Sequence, residues 1–446
     1  VKILYVSQYF PPEMGAPAAR AAELAYHWAQ SGHDVSVLTG FPNHPTGVVP
    51  EEWRTRLRHV IYHERISPKE NQNSRTNSAG RDPEAESRKP EAGYVNVYRT
   101  WLWPLPNRKS HERMRNYASF CMSAALRGMT LPCPDVIIAT SPQLLVGLSG
   151  WWLSFSRQVP FVFEVRDLWP ESLVAVGAGS EDSLLHHSLS AIAGFLYKRS
   201  NQIAVVTPAF KDHLIHHWRV PADKIAVVEN GVETDLFAPQ PPASDQAIRR
   251  ELGAEGKFLA SYIGTMGNAH GLETLLDAAS QLQQQNPDIL FLLIGEGAEK
   301  QRIKALAQSR GLSNVRFLDQ QPREKIPAFI SASDACLVLL KKTDVFKTVI
   351  PTKMLEFMSC ARPVILGVDG QARQIVEEAN SGIVIEPENA EALTQAITQL
   401  AADRELRTKL GQQGREYILQ NFSRGRTAEK YIRVLQRVVE KAHGSA

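Results

Sequence analysis

Short runs of consecutive apolar residues recur along the chain, each followed by a glycine- or proline-bearing turn and then by a segment whose apolar positions repeat at helical spacing. The first unit shows the pattern fully. Lys2 to Ser7 reads as a buried strand, Gln8 to Ala16 as a loop, and about Pro17 to Ser31 as a helix with Ala21, Leu24, Ala25 and Trp28 on one face. Gly32 stops that helix and Val35 to Thr39 is the next strand, so the chain opens with a β-α-β unit of a doubly wound parallel sheet. Val136 to Thr140, Phe161 to Val165, Ile203 to Val206 and Ile225 to Val228 continue the strands, with a buried helix over Leu144 to Phe155. Asn230 to Val232 turns the chain out of the sheet, and the proline-rich Phe237 to Asp245 reads as a connector.

The pattern then restarts. Strands are expected at Phe258 to Ile263, Leu290 to Ile294, Val315 to Leu318, Cys336 to Leu340, Val364 to Leu366 and Ile383 to Ile385, with helices filling Ala390 to Leu419 and Arg426 to Lys441. The expectation is an α/β protein of two Rossmann-like halves facing each other across the connector: residues 1–237, residues 238–423, and a C-terminal helix in 424–446 that crosses back onto the first half.

Composition narrows the class. A chain of 446 residues, 43% hydrophobic and 22% charged, suits a soluble globular protein of two domains. Its net charge of +3 is too small to argue for nucleic acid. No apolar run is long enough to span a bilayer, and the N-terminus enters a strand directly, so a cytoplasmic location is expected. The four cysteines show neither metal-site nor disulfide spacing, and no metal or other cofactor is expected. His213 and His217 have the spacing that zinc uses on a helix, with His216 beside them, but no nearby residues complete a ligand set. Ser67 to Gly93 lacks any Val, Ile, Leu, Met or aromatic residue and reads as a disordered surface insertion. Val95 to Ala125 interleaves Arg99, Trp101, Trp103, Arg108, Lys109, Arg113, Arg115, Tyr117 and Phe120, which suits either an interfacial membrane contact or a strand and helix packed on the sheet.

Two turns in the second half are built for anions. In Tyr262 to Gly271, the small residues Gly264, Thr265, Gly267 and Gly271 let backbone N–H groups approach phosphate oxygens ahead of a helix, with His270 alongside. Met266 stands where a dinucleotide fingerprint needs its second glycine. In Phe346 to Gln371 a short helix begins at Pro351 and Thr352, and Met354, Leu355 and Met358 face the core. Lys353 and Glu356 share the other side of its first turn, where a lysine has the wrong sign for the helix N-terminus. A surface pair with Glu356 is the plain reading, and a fixed anion, a diphosphate, is the functional one. In the first half, Gly15 and Arg20 flank the loop before the first helix, Asn43 and His44 lie in a proline-rich loop able to hold a polar acceptor, and Arg166 and Asp167 stand at a strand's carboxyl end. There is no Asp-x-Asp pair to bridge a metal to a nucleotide.

Six segments together resemble the retaining GT-B glycosyltransferases of family 4: Pro11 to Arg20, Thr39 to Gly47, Glu164 to Ser172, Glu229 to Phe237, Gly264 to Ala279 and Pro351 to Met358. The set most resembles bacterial surface-polysaccharide (O-antigen or capsule) transferases of N-acetylated deoxysugars such as N-acetylfucosamine. The resemblance implies a UDP-sugar donor in the second domain, a polyprenyl-diphosphate-linked saccharide acceptor in the first, and retention of configuration; the missing Asp-x-Asp pair argues for transfer without metal, and the interfacial reading of Val95 to Ala125 would place the protein on the cytoplasmic face of the inner membrane. It assigns Arg166, Asp167, Lys353 and Glu356 to catalysis; Glu296 and Leu318 join the donor residues named above, and the loop Asp369, Gly370 and Gln371 is taken as the substitute contact to the donor sugar. Gly15, Ala16, Arg20, Asn43 and His44 fall to the acceptor. Glu356 matches the second glutamate of the family's pair, a ribose ligand, while Thr348 replaces the first. His270 and Arg166 occupy places where relatives carry Arg or Lys and His, so a protonated His270 would titrate with phosphate affinity at about pH 6 to 7. UDP-N-acetylglucosamine 2-epimerases share the architecture and remain the alternative; a nicotinamide oxidoreductase and an inactive sugar-nucleotide sensor rank below.

Overall fold

The computed structural model describes residues 1–13, 15–43, 47–54, 61–66, 93–105, 110–172, 180 and 182–444. The expected insertion therefore lies, save for Gly93, outside the described residues, as does His44. The chain divides into two compact units, Val1–Glu229 with Thr427–Ala446, and Asn230–Arg426.

The first unit holds an eight-stranded sheet of order β3-β4-β2-β1-β5-β6-β7-β8. The strands are β1 (Lys2–Val6), β2 (Asp34–Gly40), β3 (Ile61–Ile66), β4 (Val95–Thr100), β5 (Val136–Thr140), β6 (Phe161–Val165), β7 (Gln202–Val205) and β8 (Ile225–Val227). All pair in parallel except the edge strand β3, which runs antiparallel along β4. The central strands are buried on both faces, which is why they read as unbroken apolar runs. β3 has no such run, IYHERI being interrupted by His63, Glu64 and Arg65, and no strand was expected there.

The C-terminal helix Arg424–Gly444 closes one face of this sheet. Ala428, Tyr431, Leu435 and Val438 recur every three or four residues and pack into the core with Ala21, Leu24 and Trp28. Trp28 donates its Nε1–H to the Ala428 carbonyl at 3.1 Å and meets the Tyr431 ring edge-on at 5.3 Å.

The second unit holds a parallel sheet of order β11-β10-β9-β12-β13-β14, the doubly wound order with the first strand central. Its strands are β9 (Phe258–Ile263), β10 (Ile289–Ile294), β11 (Val315–Leu318), β12 (Ala335–Leu339), β13 (Val364–Gly367) and β14 (Gly382–Val384). The switch point falls between β9 and β12, so the loops after those strands are where a ligand is expected.

Three expectations need correction. The segment Phe237 to Asp245 is no free connector: Phe237 is fully buried in the core of the second unit, and Pro242 already begins the helix Pro242–Leu252. The boundary consequently falls at Glu229 and Asn230, not after 237. The helices expected over Ala390 to Leu419 are Ala390–Ala402 and Arg404–Asn421, parted by Asp403, whose side chain caps the second by accepting the Leu406 amide. Finally, the helix read as buried over Leu144 to Phe155 is Val146–Arg157, and it exposes Trp152 and Phe155.

Candidate active site

In the second unit, β9 ends at Gly264, whose φ of 148° favours glycine. The turn that follows is packed from behind by the end of β10: the Gly264 N–H donates to Ile294 O at 2.9 Å and the Met266 N–H to Glu296 O at 2.8 Å. It is braced from within by the Tyr262 hydroxyl, which donates to the Thr265 carbonyl at 2.5 Å. The helix Glu273–Gln285 beyond Gly271 has no side-chain cap, and the Thr274 N–H donates to the Gly271 carbonyl at 3.1 Å.

Lys353 reaches this turn from the helix Thr352–Ser359. Its Nζ lies 4.0 Å from the centre of the Tyr262 ring, and a β-carbon placed on Gly264 would come within 2.9 Å of it. The ammonium is buried and has no hydrogen-bond partner among the described residues, and burial lowers its pKa to about 7 against the opposing pull of Glu356. The surface pair with Glu356 is thereby corrected: the lysine turns to the glycine turn, and Glu356 accepts instead from Arg323 at 3.1 Å. Arg323 also stacks 4.9 Å from the Phe237 ring centre. Sequence reasoning missed Arg323, which sits in a polar stretch after β11 that reads as ordinary solvated loop.

His270 joins the same cluster but not as a cation. Burial, and then the neighbouring Lys353 charge, drives its pKa down to about 3. Its Nδ1 lies 3.3 Å from the Leu339 carbonyl, which can only accept, so Nδ1 carries the proton and Nε2 is left as an acceptor. The expected titration of His270 at about pH 6 to 7 is therefore corrected to a neutral imidazole across the physiological range.

The remaining donor candidates frame this cluster. Glu296 accepts from Lys300 at 2.5 Å, and Lys300, nearly buried, also reaches Asp319 at 2.6 Å. Leu318 takes the Gly295 N–H on its carbonyl at 3.3 Å, a supporting position behind the turn. At the end of β13, Gly370 has φ of 77° and is pressed against the Lys347 backbone, where a β-carbon would lie 2.1 Å from its carbonyl oxygen. Asp369 faces Arg373 at 3.6 Å, Gln371 bonds Gln374 at 3.2 Å, and Thr348 turns its hydroxyl to the Val345 carbonyl at 2.6 Å.

In the first unit the charged residues meet under the carboxyl ends of β1 and β6. Arg20 is buried and bonds Glu164 at 2.8 Å as well as the Val228 and Glu229 carbonyls. It is thus a core ion pair, which corrects its assignment as a cation offered to an acceptor. Arg166 remains on the rim. Its guanidinium approaches the Ala16 and Pro17 carbonyls at 3.4 and 3.5 Å, bringing Gly15 and Ala16 beside it, while its Nε is buried without a hydrogen-bond partner among the described residues. Burial pushes the Asp167 carboxyl up to about 6, against the pull of Arg166. Asn43 is buried and spends its amide inside the protein, donating to the Phe41 carbonyl and accepting from Asn116. It therefore shapes its loop rather than presenting a free amide.

Two doubly wound sheets in one chain, the second carrying a glycine turn against a buried lysine, define the GT-B class. Comparison with known proteins agrees. Residues 15–231 match the family described as glycosyl transferase 4-like domain, and residues 244–417 match glycosyl transferases group 1. The chain is accordingly a GT-B glycosyltransferase with a 4-like domain followed by a group 1 domain. WcaI of Escherichia coli strain K12, named for a glycosyl transferase of colanic acid biosynthesis, is 23% identical over 410 residues, covering 90% of this chain and 92% of that one. WbjE of Pseudomonas aeruginosa, named as a glycosyltransferase, is 23% identical over 317 residues, 71% of this chain and 77% of that. Among solved structures, sucrose-phosphate synthase from Thermosynechococcus elongatus superposes with a TM-score of 0.72 at 19% identity, covering 98% of each chain. HepE of Anabaena in complex with UDP superposes with a TM-score of 0.65 at 17% identity, covering 98% of this chain and all of that one.

Proposed function

We propose that the protein moves an N-acetylated hexose or deoxyhexose from a UDP-sugar to a polyprenyl-diphosphate-linked saccharide, with retention, during synthesis of a cell-surface polysaccharide. One observation carries the donor half: the Lys353 ammonium, buried and without a hydrogen-bond partner among the described residues, lies beside a glycine turn that leads into an uncapped helix, an arrangement that favours a bound anion. The HepE complex with UDP, on the same fold, supports a uridine diphosphate as that anion. WcaI and WaaG, the latter described as involved in lipopolysaccharide biosynthesis, support the polysaccharide context.

In the proposed reaction the bond from the anomeric carbon to the phosphate oxygen breaks and one to the acceptor hydroxyl forms on the same face. The hydroxyl proton passes to the departing phosphate oxygen. Lys353 and the amides around Gly267 stabilise charge growing on the diphosphate, which is the main catalytic demand of such a transfer. Glu356, its carboxylate steadied by Arg323, accepts the ribose hydroxyls. Asp369, Gly370 and Gln371 hold the donor sugar, and neutral His270 accepts from it through Nε2. Arg166 and Asp167 orient the acceptor.

The acceptor's setting is supported by an exposed apolar surface on the first unit. Met122, Leu126 and Met129 line one side of the helix Ser110–Gly128 and its end, Trp101 and Trp103 are tied to that helix through Ser123 and Ser119, and Trp152 and Phe155 protrude from the helix packed beside it. With Arg127 and Arg157 among them, these residues suit a peripheral contact with an anionic bilayer. No described helix is long and apolar enough to cross a membrane.

The test is to incubate the protein with UDP-N-acetylglucosamine and related UDP-sugars, with and without lipid-linked acceptor. A glycosylated lipid and free UDP, formed only with acceptor, bear out the transferase. A new sugar nucleotide formed without acceptor would assign the protein to the epimerases.

A further inference from the structure

A second cluster of chemistry-bearing side chains lies in the first unit, apart from every residue used above. His213 belongs to the helix Pro208–His216 and His217 follows it by one turn, their rings stacked 4.9 Å apart at an angle of 17°. The sequence offered these two imidazoles without a third ligand. Folding supplies it from 42 residues upstream: Glu171 Oε1 lies 3.1 Å from His213 Nε2 and 3.9 Å from His217 Nε2. We propose that Glu171, His213 and His217 form a binding site for a borderline transition-metal dication of the zinc class.

Three observations favour a cation over a simple carboxylate–imidazole pair. One ligand atom from each residue falls within 4.8 Å of the others, and bonds of about 2.0–2.2 Å to a tetrahedral zinc need ligand atoms roughly 3.4 Å apart, so a small rotation of His217 closes the set. That residue has the freedom, its side chain being 62% exposed, and it also opens the route by which an ion enters. Second, Glu171 Oε1 is already oriented by the Trp218 indole N–H at 3.2 Å, the kind of outer partner that fixes a ligating carboxylate. Third, the other oxygen of the same carboxylate, Glu171 Oε2, is buried with no hydrogen-bond partner among the described residues, so the group keeps acceptor capacity beyond the contacts made by Oε1. Two imidazole nitrogens with one carboxylate select zinc, nickel or copper over magnesium or calcium, which want oxygen alone.

The placement says what such an ion does. Glu171 lies five residues beyond Arg166 in the segment leaving β6, and the histidines sit on the helix that follows the adjacent strand β7. A bound ion staples that segment to the helix and steadies the stretch bearing Arg166 and Asp167, without touching the nucleotide. The site is therefore structural or regulatory, and its presence is independent of the donor assignment.

Calorimetric titration of the tag-free full chain, stripped with chelator, with zinc chloride tests this, alongside thermal unfolding with and without zinc. The proposal expects one saturable equivalent, a rise in Tm of several degrees, and no response to magnesium. His217→Ala and Glu171→Gln should each weaken zinc binding at least tenfold with an unchanged circular dichroism spectrum, whereas His216→Ala, whose ring bonds the Asp212 carbonyl, should not. Absence of saturable heat, or equal zinc affinity in His217→Ala and wild type, overturns it.

Discussion

Lys353 holds its ammonium 4.0 Å from the centre of the Tyr262 ring, buried and without a hydrogen-bond partner among the described residues. A π face attracts the charge but does not replace the water it has lost, so the proton is held weakly and the pKa falls to about 7. A diphosphate arriving at the Gly264 turn must raise that pKa again. The complex then binds more protons than the free protein between about 7 and the higher bound value. Diphosphate affinity is therefore greatest below about pH 7 and declines as pH rises through that window. Titrations of UDP at pH 8 in buffers of different ionisation enthalpy should show proton uptake. Lys353→Met should abolish both the uptake and the pH dependence, while His270→Gln should keep them, because His270 stays neutral throughout.

The Arg323 contact makes a distinct prediction for kinetics. Glu356→Ala, Lys353→Ala and Asp167→Asn should each lower turnover at least tenfold. Arg323→Ala acts through Glu356, in the ribose part of the site that does not change during reaction, so it should raise the KM for the UDP-sugar more than it lowers kcat. A selective loss of kcat would instead put Arg323 on the transferring group.

Arg20 belongs to stability. Burial alone would raise the Glu164 carboxyl, yet Arg20 and Arg166 hold it below the ordinary range, and the Tyr5 hydroxyl donates to it at 2.8 Å. Arg20→Ala leaves that carboxylate buried and short of its main partner, a change of about 3–5 kcal/mol. Chemical denaturation should show a loss of that size for Arg20→Ala, and a smaller one when Glu164→Gln is added.

The apolar surface predicts its own assay. The protein should sediment with vesicles containing anionic lipid at low salt, and Leu126→Asp with Phe155→Asp should release it without changing activity on a short-chain, water-soluble acceptor. Failure of the wild type to pellet would remove the membrane contact.

Much of this fold was legible because its strands are buried on both faces, and a run such as Ile289–Ile294 has no polar position to confuse it. The edge strand Ile61–Ile66 was not, since a strand at a sheet margin tolerates charge, and His63, Glu64 and Arg65 break its apolar run. The site was legible as segments and illegible as partners. Lys353 and the glycine turn stand out by their misfit to a helix start and to a core strand. That Lys353 faces Tyr262 while Glu356 faces Arg323 is set by tertiary packing over long stretches of chain. The same holds for His270, whose charge state depends on burial and on a lysine brought in from 83 residues away. Arg20 shows the converse, a loop-flanking cation that folding draws into the core.

The central claim, a uridine-diphosphate site in the second unit, is tested most directly by thermal unfolding of wild type and Glu356→Ala with UDP, GDP, ADP and NAD in turn. A ligand at a hundredfold excess over its Kd adds about 2.7 kcal/mol, enough to move Tm measurably. The account predicts a shift with UDP that exceeds those of the other nucleotides and is lost in Glu356→Ala. No shift with UDP, or an equal shift in the variant, would contradict it.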